Sequence, residues 1–149
     1  MRSQFLPLVV HWHSCSALTV DAITMWLLKN PFNYDVLVAP NLYGDIISDL
    51  CAQMVGGLGF GCSGNIGQKL AVFEPTHGSA PKYAGQYKVN PIATILAARM
   101  MLDWLGETAK GTAIDGAVAA VIQEGKVRTY DMGGNDSTLD LARAIAAKL

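Results

Sequence analysis

The order of apolar and polar positions divides the chain into short elements. DAITMWLL (21–28) has apolar residues at helical spacing behind a carboxylate suited to an N-cap, and it stops at Asn30-Pro31, which predicts a helix. YDVLVA (34–39) is a brief apolar run closed by Pro40 and predicts a buried strand. DIISDLCAQMV (45–55) returns to the helical period. GGLGFGCSGNIG (56–67) holds six glycines in twelve residues, the composition of loops and tight turns, with room for one short strand. A further brief strand is expected over 70–73. EPTHGSAPKYAGQYKVNP (74–91) is studded with Pro and Gly and is too long to be an idle connection. An amphipathic helix is predicted over 91–105, with Pro91 in its first turn and Gly106 just past its end, and a second over 112–123 ending near Gly125. The turn-rich TYDMGGNDST (129–138) leads into a last helix over 139–149, capped by Ser137 or Thr138. There is no internal repeat and no low-complexity tract. Strands alternating with helices predict an α/β fold.

At 149 residues the chain has the length of one domain, or one and a half, and can bury a core. Apolar residues make up 51% and charged residues 15%, within the range of globular chains. A net charge of −1 argues against a nucleic-acid or anionic-membrane partner. No apolar run reaches the roughly 18–20 residues of a membrane helix. Cys15, Cys51 and Cys62 are an odd number without metal-ligand spacing, which favours free thiols and a reducing compartment, so a cytoplasmic chain is expected. The opening MRSQFLPLVVHWHSCSALTV has a faint likeness to a signal peptide, but its apolar run is short and HWHSC interrupts it. His11, His13 and Cys15 alternate, so on a strand they share a face; they are read either as a soft-metal trio or as an edge strand or frayed terminus.

NLYGDIISD (41–49) puts Asp45 and Asp49 one helical turn apart on one face, with no Lys or Arg three or four residues away to neutralise them. One reading is an N-cap at Asp45 and a solvated acid at Asp49, both favoured near the positive end of a helix dipole. The other is a hard divalent cation held by paired carboxylates, Mg²⁺ or Mn²⁺, placed after the carboxyl end of a strand where α/β sheets bind ligands. A similar choice arises in the loop. Gly78, Ser79 and Ala80 are small enough to let a phosphate or ribose approach backbone N–H groups, while Glu74, His77 and Lys82 offer hydrogen bonds and charge. No GxGxxG follows a strand, so any dinucleotide binds outside the Rossmann scheme.

Taken in order, NLYGDIISD, GGLG, SGNIG, FEPTHGSAPKYAG and NP resemble the β-decarboxylating dehydrogenases, the enzymes of isocitrate, 3-isopropylmalate and homoisocitrate, from about Asp21 to the C-terminus. The resemblance implies NAD(P)-dependent oxidation of a hydroxy-diacid followed by decarboxylation with Mg²⁺ or Mn²⁺. It also implies part of a two-domain, non-Rossmann fold: residues 21–55 in the substrate and dimerisation domain, 56–149 in the cofactor domain, and 1–20 unassigned. Asp45 and Asp49 match the family's metal ligands, and Asp21 matches a third that reaches the metal from a neighbouring subunit. His77 and Asn90 resemble the residues that grip adenine, Gly78, Ser79 and Ala80 those along the ribose and phosphates, and Glu74 the acid near the nicotinamide ribose. Lys82 and Tyr83 resemble the pair that takes the 2′-phosphate of NADP, with Tyr130 and the adjoining Asp131 completing the cofactor set. The NADP enzymes carry an arginine shortly after that tyrosine; here the stretch reads DMGGND, closer to the isopropylmalate type. NADP is therefore expected first and NAD second.

The family's substrate arginines, catalytic tyrosine and catalytic lysine precede the segment that matches Asp21, and residues 1–20 do not supply them. The expectation is a fragment of such an enzyme, with no catalytic residue assigned, that dimerises or joins a complementary subunit. KYAG and KVNP favour isocitrate as substrate; DMGG…ST favours isopropylmalate or homoisocitrate. A non-catalytic nucleotide-binding or subunit-interaction module is the alternative from another class. An inert α/β fragment is opposed by the retained Asp21, Asp45, Asp49, His77 and Asn90.

Overall fold

The structure, a computed structural model, describes residues 17–149. His11, His13 and Cys15 fall outside them. The described residues divide into two compact units, with the boundary between Leu37 and Val38.

In the first unit, α1 (Val20–Lys29) is one residue longer at each end than its apolar period predicts. The N-cap position belongs to Thr19, and Asp21 sits in the first turn instead, where Oδ1 accepts from the Ala22 N–H at 2.9 Å. Ile23 and Leu27, four apart, are its buried residues, and Pro31–Asn33 forms a 3₁₀ turn that ends the run.

The expected strand over 34–39 does not form: Val36, Leu37 and Val38 are exposed and belong to no ladder. A strand is stable only when neighbouring strands take its N–H and C=O groups, and no such neighbour lies among the described residues.

The second unit opens with α2 (Asn41–Met54), which starts four residues before the predicted helix because Pro40 takes the N-cap position. Asp45 and Asp49 therefore lie inside the helix rather than at its start. The N-cap role for Asp45 falls with that shift, and the placement of the pair behind a strand falls with the absence of a strand over 34–39. α2 has no substantial packing against another helix or strand of the described residues, and Leu42, Tyr43 and Ile46 are exposed along it.

Beyond the glycine-rich turn, β1 (Cys62–Ile66) pairs antiparallel with β2 (Ala71–Pro75) in a two-stranded hairpin. The long loop follows, with a 3₁₀ turn at Pro81–Tyr83, and then α3 (Ile92–Trp104), α4 (Thr108–Glu124), a 3₁₀ turn at Tyr130–Met132 and α5 (Thr138–Ala146). The packing order is hairpin on α3, α3 on α4, α4 on α5. Where the sequence predicts one apolar face, α3 is apolar on more than one, because it serves both the hairpin and α4. Ile92, Ala117, Val118, Val121, Leu141 and Ile145 form the core, with Phe60, Ile95 and Leu96 among the side chains packed on it. Arg99 on α3 bridges Asp103 at 2.8 Å and Asp115 on α4 at 2.9 Å.

The helix ends follow local chemistry. Gly106 and Gly125 adopt left-handed φ (84° and 62°) just past α3 and α4, a conformation costly for residues with a Cβ. Ser137 caps α5 in a capping box with Asp140. Cys51 and Cys62 are free thiols; burial pushes the Cys62 thiol up, and it points at Met100 Sδ, 3.3 Å away. No helix among the described residues is long and apolar enough to cross a membrane.

Candidate functional site

The loop between β2 and α3 is tied down by the core it borders. Asn90 is buried, and its Oδ1 accepts from the Ile92 N–H at 2.9 Å, capping the start of α3. Its Nδ2 donates to Asp131 Oδ2 at 3.0 Å, and the fully buried Thr129 donates its hydroxyl to Asp131 Oδ1. Both carboxylate oxygens of Asp131 are thus held by neutral donors. Gly59 lies against this group so closely that a Cβ there would come within 2.7 Å of Asp131 Oδ2, so the glycine-rich turn, the start of α3 and the 129–132 turn meet at one polar knot. From the C-terminal side, Thr138 donates its N–H to Tyr87 O at 2.7 Å and its hydroxyl to Val89 O.

Around that knot the loop opens a shallow depression of about 330 Å³, whose walls include Ser79, Ala80, Tyr83, Tyr87 and Thr138. Ala80 and Tyr87 carry positive φ, 42° and 49°, the only residues other than glycine to do so among those described. Such backbone costs of order 1 kcal/mol each and concentrates where ligands bind. At the edge of the depression, Tyr83 and Tyr130 face each other with ring centroids 5.7 Å apart. Lys82 Nζ stands 4.8 Å from the Tyr83 ring, and Lys88 Nζ lies 5.7 Å from Tyr83 and 5.3 Å from Tyr130. The Lys82 ammonium first, and the Tyr130 hydroxyl second, hold the Tyr83 phenol below the usual tyrosine range; hydrogen bonding to Tyr83 pushes Tyr130 above it.

Of the expected cofactor set, Ser79, Ala80 and Tyr83 line the depression, Lys82 and Tyr130 stand beside the Tyr83 ring, and Asn90 and Asp131 meet in the polar knot. Glu74, His77 and Gly78 do not line the depression. Glu74 projects from β2, where its Oε1 accepts from Asn65 Nδ2 at 3.2 Å, and His77 Nδ1 is 2.9 Å from the Gly78 carbonyl. That carbonyl only accepts, so in the neutral ring the proton sits on Nδ1 and the lone pair on Nε2. Sequence reasoning missed Lys88, Thr129 and Thr138. Thr129 and Thr138 lie in a turn-rich stretch where any polar residue looks alike, and Lys88 shares no period with Lys82.

Asp45 and Asp49 are exposed on α2 and take part in no ion pair among the described residues. Asp21 belongs to the other unit, where the Thr19 hydroxyl first and the Ala22 N–H second hold its carboxyl below the usual range. No group of three or more His, Cys, Asp or Glu side chains is assembled among the described residues. Two carboxylates at helical spacing are hard oxygen donors of the kind Mg²⁺ and Mn²⁺ take.

Compared with known proteins, residues 14–145 match the family profile of isocitrate/isopropylmalate dehydrogenase. The chain belongs to that family. A mitochondrial regulatory subunit of NAD isocitrate dehydrogenase from Dictyostelium discoideum is 48% identical over 133 residues, covering 89% of this chain and 38% of the relative. Isocitrate/homoisocitrate dehydrogenase of Thermus thermophilus is 48% identical over 132 residues, 89% of this chain and 39% of the relative. The crystal structure of isocitrate dehydrogenase from Methylococcus capsulatus superposes with a TM-score of 0.83 at 43% identity, over 87% of this chain and 39% of that one. The chain therefore spans a little over a third of the length of these relatives, and its fold is part of their α/β fold. The expectation of a cytoplasmic chain is overturned: the Dictyostelium relative is mitochondrial, as are matching subunits of Caenorhabditis elegans, Arabidopsis thaliana and Rattus norvegicus. Free cysteines signal a reducing environment, which the cytoplasm shares with other compartments.

Proposed function

We propose that this chain supplies the nucleotide loop and the metal-binding carboxylates of an NADP-preferring dehydrogenase that oxidises and decarboxylates isocitrate. The observation that carries this reading is the group of Lys82, Tyr83 and Tyr130 at the edge of the loop's depression: cations and hydroxyls that suit the 2′-phosphate by which NADP differs from NAD. Family membership supports the reaction class, and the KYAG and KVNP segments favour isocitrate over isopropylmalate or homoisocitrate.

The roles of the chain's own residues follow from their chemistry. His77, as the neutral ring with its proton on Nδ1, would present Nε2 as an acceptor for the adenine amino group, and Asn90 has one amide hydrogen left beyond its bond to Asp131. The small side chains of Gly78, Ser79 and Ala80 leave backbone N–H groups open to the phosphates, and Glu74 offers carboxylate oxygens to ribose hydroxyls. Asp45 and Asp49 would hold Mg²⁺ or Mn²⁺, with Asp21 joining them from a second subunit, so a dimer, or a pairing with another subunit, completes the site. When bound, the nicotinamide supplies a hydride acceptor and the divalent cation a Lewis acid. In this reading, residues 21–55 serve the substrate and dimerisation domain and residues 56–149 the cofactor domain.

A second reading is a subunit that binds nucleotide and regulates or assembles without turning over, and the Dictyostelium relative named as a regulatory subunit favours it. Calorimetric titration of the full chain with NADP and with NAD tests the nucleotide assignment. The expected result is NADP binding at least about tenfold tighter, the scale of one charge-assisted pairing. Equal affinities, or NAD ahead, would remove the NADP assignment.

A further inference from the structure

The stretch from Tyr130 to Asp140 supplies no basic residue to the proposed 2′-phosphate site beside Lys82 and Tyr83. We propose that Lys88 supplies a second cation: Lys88 is a specificity-determining residue that contacts the 2′-phosphate beside the Tyr83 and Tyr130 rings, together with Lys82. This rests on the NADP reading above.

The geometry is that of two ammonium groups on one pair of rings. Lys82 Nζ stands over Tyr83 alone, whereas Lys88 Nζ stands over both Tyr83 and Tyr130. Neither lysine forms an ion pair among the described residues. The nearest acid in sequence to Tyr130, Asp131, is already occupied by Asn90 and Thr129. Two like charges gathered on one aromatic pair repel each other, and cation–π attraction offsets this only weakly at an exposed position. A phosphate monoester, carrying nearly two negative charges near neutral pH, would satisfy both ammonium groups and accept from both phenols.

Lys88 is also aimed. Its neighbours are fixed: Tyr87 through its carbonyl to the Thr138 N–H, Val89 through its carbonyl to the Thr138 hydroxyl, and Asn90 through the polar knot. Tyr87 holds the left-handed backbone conformation immediately before it. An exposed side chain thus projects from backbone anchored on both sides, which reduces the ordering cost of binding.

The test uses the full chain and two probes, adenosine 2′,5′-bisphosphate and 5′-AMP, titrated calorimetrically. The wild-type chain should bind the bisphosphate more tightly. Lys88→Met, which keeps the length of the stem, should weaken bisphosphate binding about tenfold and leave 5′-AMP unchanged, and Lys88→Arg should restore most of the loss. If Lys88→Met keeps wild-type affinity while Lys82→Met loses it, the role of Lys88 is overturned and the NADP reading stands. If Lys88→Met weakens both probes equally, Lys88 shapes the loop rather than reading the phosphate, and the proposal is again overturned. If the wild-type chain binds both probes alike, or neither, the NADP reading falls and the proposal with it.

Discussion

The nucleotide loop and α2 carry the two chemistries expected of this chain, and the chain supports them unequally. The loop is built on the core: Asn90 caps α3, Asp131 is held at both oxygens, and Thr138 pins the backbone around Lys88. α2 carries its two carboxylates on a helix that packs on little else among the described residues and leaves Leu42 and Ile46 in solvent. The loop's geometry is thus specified by this chain, whereas α2 leaves its carboxylates and its apolar positions without partners among the described residues.

The largest test of this contrast is a pair of truncations. Leu141 is wholly buried in the α3–α4–α5 core, so Leu141→Ala should cost about 2–5 kcal/mol in denaturant unfolding and weaken nucleotide binding with it. Ile46→Ala on α2, at a position 48% exposed, should cost about 0.5 kcal/mol or less. Equal losses would mean that α2 is as well packed as the core.

Next in size is the polar knot. Asn90→Ala removes the cap of α3 and leaves Asp131 short of a donor, which should destabilise the chain by roughly 1–3 kcal/mol and weaken NADP binding, read by unfolding and by titration. A loss of stability with unchanged nucleotide affinity would separate the knot from the site.

How much of this could be read from the sequence depended on how local its cause was. Gly106, Gly125 and the Ser137 cap were legible because a left-handed turn or a capping hydroxyl is decided within a few residues. The run 34–39 misled because an apolar pattern reports a wish for burial and cannot say whether partner strands are present. The start of α2 was missed because Asn41–Gly44 breaks the apolar period, though Pro40 is a good place to begin a helix. In the loop, Ser79, Ala80 and Tyr83, which line the depression, were named from the sequence, whereas Glu74, His77 and Gly78, also named, lie off it. The bond from Asn90 to Asp131, 41 residues on, and the reach of Lys88 to Tyr130 are tertiary facts that no spacing announces.

A smaller effect sharpens the picture at the other end of the core. The Ser137 hydroxyl first, and its N–H second, hold the Asp140 carboxyl below its ordinary value. A carboxylate lowered on folding contributes stability above its unfolded value, and that contribution is lost as pH falls through the folded one. Stability should therefore decline through the acid end of the carboxylate range, and Ser137→Ala should cost about 1 kcal/mol at neutral pH and flatten that decline. An unchanged acid limb in the variant would mean that the capping box contributes nothing to it.

The central claim, that the proposed nucleotide site is specified within this chain and the proposed metal site is not, is tested most directly by two separate calorimetric titrations of the full chain. One uses NADP without metal; the other uses Mn²⁺ without nucleotide, with Asp45→Asn as its control. NADP should bind unaided, while Mn²⁺ should bind only weakly and lose what affinity it has in the variant. Tight Mn²⁺ binding with no heat from NADP would contradict the claim.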